Sequence, residues 1–168
     1  MSTQLRQKNP ADPVELGHRP GHLIWRAQQR GWRLFAEVAG EIDITPVQAS
    51  VLLVIYNQPG IDQKTLAETI ALDRATTGNV VARLETRGLL KRDTPVHDRR
   101  AKALYLTRAG ATLNRKLGSV TRRSRELLLQ GLTVAEQKEL IRLLRKILDI
   151  RDRPANGQRQ SREPTCQE

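Results

Sequence analysis

From about residue 20 to residue 150 the apolar positions recur mostly with a helical period, and polar stretches flank this core at both ends. Over 21–40, Ile24, Ala27, Gly31, Leu34 and Val38 form one stripe, and Trp25, Gln28, Trp32 and Phe35 form a neighbouring one, which predicts a first helix. The segment ITPVQASVLLVIY predicts a second, largely buried helix ending near Asn57. Thr45 is its N-cap, Pro46 suits the first helical position, and Gln48 completes a capping box. Pro59 and Gly60 make a turn.

The stretch IDQKTLAETIALDRATTGNVVARLETRGLLKR carries two start signals. Asp62 caps a short helix over 63–70, Ala71 and Leu72 turn the chain, Asp73 caps a helix over 74–87, and Gly88 ends it. Leu66, Ile70, Leu72, Val80 and Leu84, with the small Ala67 and Ala71 at the turn, fit two short helices crossing steeply: a helix-turn-helix. The period then shortens. Residues 89–93 read as a strand, 94–100 as a turn and 101–107 as the returning strand. Thr107 caps a long helix over 108–130 with a seam of Leu113, Leu117, Val120 and Leu127. Thr133 and Glu136 form a second capping box and open the last helix, to about residue 150, with Leu140, Ile141, Leu144, Ile147 and Leu148 as its inner face.

The predicted fold is mainly α with a small β-hairpin wing, a winged helix-turn-helix joined to a helical dimerisation region. Residues 1–19, with Pro10 and Pro13, form a flexible arm. Residues 20–44 and 108–151 form the dimerisation helices, 45–107 the winged helix-turn-helix, and 152–168 a disordered tail of low apolar content. The first helix and the last two carry more apolar surface than one small subunit can bury.

Charge then points to a partner. The 168 residues hold 29 Lys and Arg against 18 Asp and Glu, a formal net charge of +11, which favours a polyanion. The hairpin HDRRAKALYLT concentrates that charge: Arg99 and Arg100 sit at its turn and Lys102 follows at the start of the returning strand, with Arg92 before and Arg108 after. A rigid turn of this kind suits the narrow, negatively charged minor groove of DNA. The second helix of the helix-turn-helix suits the major groove. On it Val80, Val81 and Leu84 face the core, while Arg74, Ala75, Thr76, Asn79 and Arg83 face outward. Asn79 can pair with an adenine edge, Thr76 can meet a phosphate or a thymine methyl, and Arg74 and Arg83 suit phosphates. Gly78 is costly within a helix, and a close approach to the nucleic acid backbone is one reason to keep it.

Other chemistry is thin. The single cysteine, Cys166, permits neither an internal disulfide nor a Cys-ligated metal. His18, His22 and His97 are the only histidines, and no metal site is expected. No catalytic triad, phosphate-binding loop or dinucleotide glycine motif occurs, so neither an enzyme nor a cofactor is expected. The chain opens without an apolar leader and its longest apolar run, 51–55, is far short of a membrane span, which predicts a cytoplasmic protein.

Three segments carry a resemblance. ITPVQASVLLVI, LAETIALDRATTGNVVARLETRGLLKR and HDRRAKALYLTRAG are similar to the MarR family of bacterial transcription regulators, over about residues 20–150. The resemblance implies a homodimer whose first and last two helices interlock. Each subunit would offer one winged helix to a pseudo-palindromic double-stranded DNA operator, and a small molecule, often an aromatic acid, would release a repressed operon. The segments PGHLIWRAQQ and PGIDQKTLAETIALDRAT resemble members that govern aromatic-acid catabolism, whose effectors are such acids or their coenzyme A thioesters. On the first helix Trp25, Arg26, Gln29, Trp32 and Arg33 could hold an aromatic carboxylate, or Trp25 and Trp32 could belong to the core or dimer interface. The run Arg115, Lys116, Arg122, Arg123 and Arg125 could bind coenzyme A phosphates or form a solvated face. The alternative to an effector-released repressor is an architectural DNA-binding protein without an effector. The absence of a cysteine near the first helix argues against oxidant sensing.

Overall fold

The computed structural model describes residues 16–93 and 103–150. Its elements are α1 (Pro20–Ala39), α2 (Pro46–Asn57), β1 (Ile61–Asp62), α3 (Gln63–Ile70), α4 (Arg74–Thr86), β2 (Leu90–Asp93), β3 (Ala103–Leu106), α5 (Arg108–Leu129) and α6 (Val134–Ile147). This is a mainly helical chain with a small antiparallel sheet in the order β1-β3-β2. By its contacts it divides into two units meeting at Leu128 and Leu129. The first holds α1 through α5, and the second is built on α6.

Local signals set the helix starts. Thr45 Oγ1 accepts from the Gln48 amide at 3.2 Å while Gln48 Oε1 accepts from the Thr45 amide at 3.0 Å, a closed capping box. Asp62 Oδ1 accepts from the Lys64 and Thr65 amides at the start of α3. Between α3 and α4 the chain turns through Ala71, in the left-handed region at φ 54. The Leu72 amide then donates to the Ala67 carbonyl at 3.0 Å, which closes the end of α3.

The core of the first unit gathers Leu52, Ile55, Leu66, Val81, Leu84, Leu90 and Leu104 with Phe35, Leu117 and Val120. Leu66, Val81 and Leu84 are inaccessible, so the two helices of the helix-turn-helix lean on one centre. Val80 is half-buried against its edge. At Gly78, read in the sequence as allowing a close approach to nucleic acid, a Cβ would stand 3.2 Å from Gln63 Nε2, the far end of a side chain that can shift.

β2 and β3 pair as expected, with Leu90 opposite Leu106 and Asp93 opposite Ala103. The expected turn at 94–100, and with it Arg99, Arg100 and Lys102, lies outside the described residues. β1 was not foreseen; Ile61 pairs with Leu104, which ties the loop before α3 to the wing. Thr107 locks the other end. Its Oγ1 donates to the Gly88 carbonyl at 2.6 Å and accepts from the Gly110 amide at 3.1 Å.

In the second unit, Thr133 and Glu136 close a capping box at the start of α6, as expected. Of the expected inner face, Leu140 and Leu144 are half-buried among the described residues. No α6 residue is buried, and Ile141, Ile147 and Leu148 are exposed. The apolar stripe is present, but this helix alone supplies nothing that covers it.

Candidate nucleic-acid interface and a neighbouring cavity

The solvent face of α4 follows from how the helix starts and what it buries. Thr77, Val81 and Leu84 are its buried residues. Thr77 is fully buried and donates its hydroxyl to the Asp73 carbonyl at 2.9 Å, a core role that the sequence reading missed. Helical spacing turns Ala75, Thr76, Asn79 and Arg83 to the opposite side, and all four are exposed. Arg74 stands at the first turn, also exposed.

Asp73 shapes that first turn. Its Oδ1 accepts from the Thr76 amide at 2.8 Å and its Oδ2 from the Thr76 hydroxyl at 2.6 Å. The Thr76 side-chain and backbone hydrogen bonds hold the Asp73 carboxyl below the usual carboxylate range. The Thr76 hydroxyl proton is therefore spent inside the helix. What it keeps for a partner is an acceptor lone pair and a methyl group, which suits a thymine methyl better than a phosphate.

The cations sort by partner. Arg87 pairs with Asp43 at 3.4 Å, and Arg92 with Glu85 at 3.5 Å. Arg92, expected among the groups reaching outward from the hairpin, instead joins β2 to α4. Arg74 and Arg83 pair with no acid among the described residues, so their charge is open to an anion.

A cavity of about 400 Å³ lies between α1, α2 and α5. Phe35, Pro46, Ala49, Leu53 and Leu117 give it apolar walls, and Asn114, Thr121, Arg122 and Arg125 give it polar ones. None of the five first-helix residues expected at a ligand site lines it. Trp25, Arg26, Gln29, Trp32 and Arg33 are all exposed on α1. Phe35 is the α1 residue that reaches the cavity, and helical spacing turns Arg26 and Arg33 to the far side of the helix from it. Arg122 and Arg125, read in the sequence only as part of a basic run, line the cavity instead. The signal for them was present: Gly118, Thr121, Arg122 and Arg125 share one helical face beside the seam residue Leu117.

Comparison with known proteins fits this architecture. The MarR family profile matches residues 42–101, the segment from the α1–α2 loop to the hairpin. The HTH-type transcriptional repressor NicR of Pseudomonas putida is 30% identical over 137 residues, covering 82% of this chain and 87% of that protein. The PcaV transcriptional regulator of Streptomyces coelicolor, solved with its natural ligand, is 36% identical at a TM-score of 0.76, covering 83% of this chain and 98% of that one. BpsR of Bordetella bronchiseptica, whose DNA binding is regulated by 6-hydroxynicotinic acid, is 29% identical at a TM-score of 0.75, covering 80% and 96%. With its helix-turn-helix, its paired hairpin strands and these relatives, the chain belongs to the MarR family of transcription regulators.

Proposed function

We propose that this protein is a homodimeric repressor that holds a pseudo-palindromic operator and lets go when an aromatic acid fills the cavity between α1, α2 and α5. The observation that carries the DNA half is the sorting of α4. One side is locked into the core by Thr77, Val81 and Leu84, and the other presents Arg74, Ala75, Thr76, Asn79 and Arg83 to solvent. In this reading Asn79 reads an adenine edge, Ala75 and Thr76 meet thymine methyls, and Arg74 and Arg83 hold phosphates. Arg99, Arg100 and Lys102 reach the flanking groove from the hairpin. Residues 45–107 act as the DNA-binding domain, and α1, α5 and α6 as the dimerisation region.

The effector half rests on the cavity, which combines apolar walls with two guanidinium groups, the chemistry of an aromatic carboxylate site. A constitutive architectural protein has no use for such a cavity. The relatives give the same direction: one is a repressor, and another has its DNA binding regulated by an aromatic acid. The operon controlled would then be one that degrades the effector.

Fluorescence anisotropy on the DNA upstream of the protein's own gene tests the DNA half. Asn79→Ala is expected to cost about tenfold in affinity for that DNA while leaving unrelated DNA unaffected. Arg74→Ala is expected to weaken both and to lower the salt slope by about one. An equal loss from Asn79→Ala on every sequence would make it a backbone contact and would remove base reading from α4.

A further inference from the structure

The cavity contains one group that the fold leaves unused. Asn114, on α5, is 8% exposed and lines the cavity, yet its side-chain amide makes no hydrogen bond among the described residues. Its polar atoms remain accessible through the cavity, so they are open to a group bound there. Ser124 lies on the same buried side of α5, and its hydroxyl donates to the Thr121 carbonyl at 3.2 Å. Asn114 has no such outlet.

The cavity also has a chemical direction. Arg122 and Arg125 lie two to three turns further along the same helix, about 12 Å and 16 Å of axial rise from Asn114. Helical side chains favour rotamers that lean toward the N-terminus, the direction in which Asn114 lies from both arginines. Between the two ends lie Phe35, Leu53 and Leu117. Cations at one end, an apolar middle and an amide at the other form a frame for a flat apolar ligand with an anion at one edge and a hydrogen-bonding group at the opposite edge.

We propose that Asn114 is the specificity-determining residue of this cavity, and that it selects aromatic acids bearing a ring hydroxyl, or the equivalent ring carbonyl, opposite the carboxylate. An amide suits this role because it donates through Nδ2 and accepts through Oδ1, so it can satisfy a hydroxyl in either sense. The proposal rests on the reading of the cavity as an aromatic-acid site. It adds the substituent that is read and the residue that reads it.

The test is titration calorimetry on the full-length protein with 4-hydroxybenzoate against benzoate, and with 4-hydroxycinnamate against cinnamate. The wild type is expected to prefer the hydroxylated acid in at least one pair by about tenfold, the effect of one satisfied hydrogen bond. Asn114→Leu is expected to reduce that preference to about one. Arg122→Gln with Arg125→Gln is expected to weaken both acids of a pair together and to keep the preference. Asn114→Leu should also leave the melting point without ligand unchanged, because the amide makes no hydrogen bond on which the fold depends. A purely structural Asn114 would show a lower melting point and an unchanged preference. Asn114→Ala, which removes the amide without adding bulk, gives the same readout should the leucine variant fail to fold. A preference that survives both substitutions would overturn the assignment to Asn114 and leave the acid site intact. Failure of all four acids to bind the wild type would remove the acid site, and this proposal with it.

Discussion

Two glycines in α5 meet opposite surroundings, and each makes a measurable demand. A Cβ at Gly110 would lie 1.8 Å from the Leu89 carbonyl oxygen, a backbone atom held in place because that same carbonyl accepts from the Thr107 amide. A Cβ at Gly118 would have nothing within 4 Å. Gly110→Ala is therefore expected to cost about 3 kcal/mol, the upper range for overpacking a rigid contact. Gly118→Ala is expected to gain up to about 1 kcal/mol from helix propensity alone. Urea denaturation of the two variants beside the wild type decides it, and equal midpoints would mean that α5 does not pack on the loop before β2 as described. Residues of this kind show where a sequence stops being legible. Gly78 stands out as an anomaly in a helix, and its neighbour Gln63, in another element, becomes visible only once α3 and α4 cross. Thr77 reads as a polar helix residue until its hydroxyl is seen bonded back to Asp73 and its side chain fully buried.

The elements were legible where their signals are local. Asp62 and Asp73 each cap a helix three residues before a threonine, and the capping rule found both starts without a structure. β1 escaped because two residues carry no periodic signal, and its only reason to be a strand is pairing with β3, far along the chain. The cavity escaped for the same reason, since it combines one residue of α1 with faces of α2 and α5 that no window of sequence brings together. The paired caps carry a pH dependence. Hydrogen bonds from Thr65 and Thr76 hold the Asp62 and Asp73 carboxyls below the ordinary carboxylate range. Groups lowered on folding stabilise the native state above their unfolded pKa, and that contribution disappears as pH falls through the folded value. The wild type should thus lose melting temperature on acidification below about pH 4, the ordinary carboxylate range. Asp62→Asn with Asp73→Asn should begin lower at neutral pH and fall less steeply. Parallel melting curves for the two proteins across that range would show that the caps contribute nothing that depends on charge.

For the whole molecule, the apolar pattern says more than a single chain can use. Ile141 and Ile147 on α6 and Leu148 at its end are exposed, and so are Ile24, Trp25 and Trp32 on α1. Soluble proteins rarely leave such stripes in water, and helices that are apolar along one face gain by covering it with another chain. The sequence places the apolar stripes but does not say which molecule covers them, because periodicity fixes the stripe and not the partner. In the proposed homodimer a second copy would cover these stripes and double the DNA contacts. The consequence can be measured in one protein. Ile141→Glu with Ile147→Glu places two carboxylates on the α6 stripe, where nothing in the described residues needs isoleucine for the core. Light scattering at micromolar concentration should give twice the chain mass for the wild type and the single chain mass for the variant. Circular dichroism should show the helical content of the first unit retained. Operator affinity should collapse, and the slope of log affinity against log salt should fall to about half, since one winged helix neutralises about half the phosphates of two. A variant that keeps the double mass would assign dimerisation to surfaces other than α6. One that becomes a monomer yet keeps the full salt slope would show that a single winged helix carries the whole electrostatic contact.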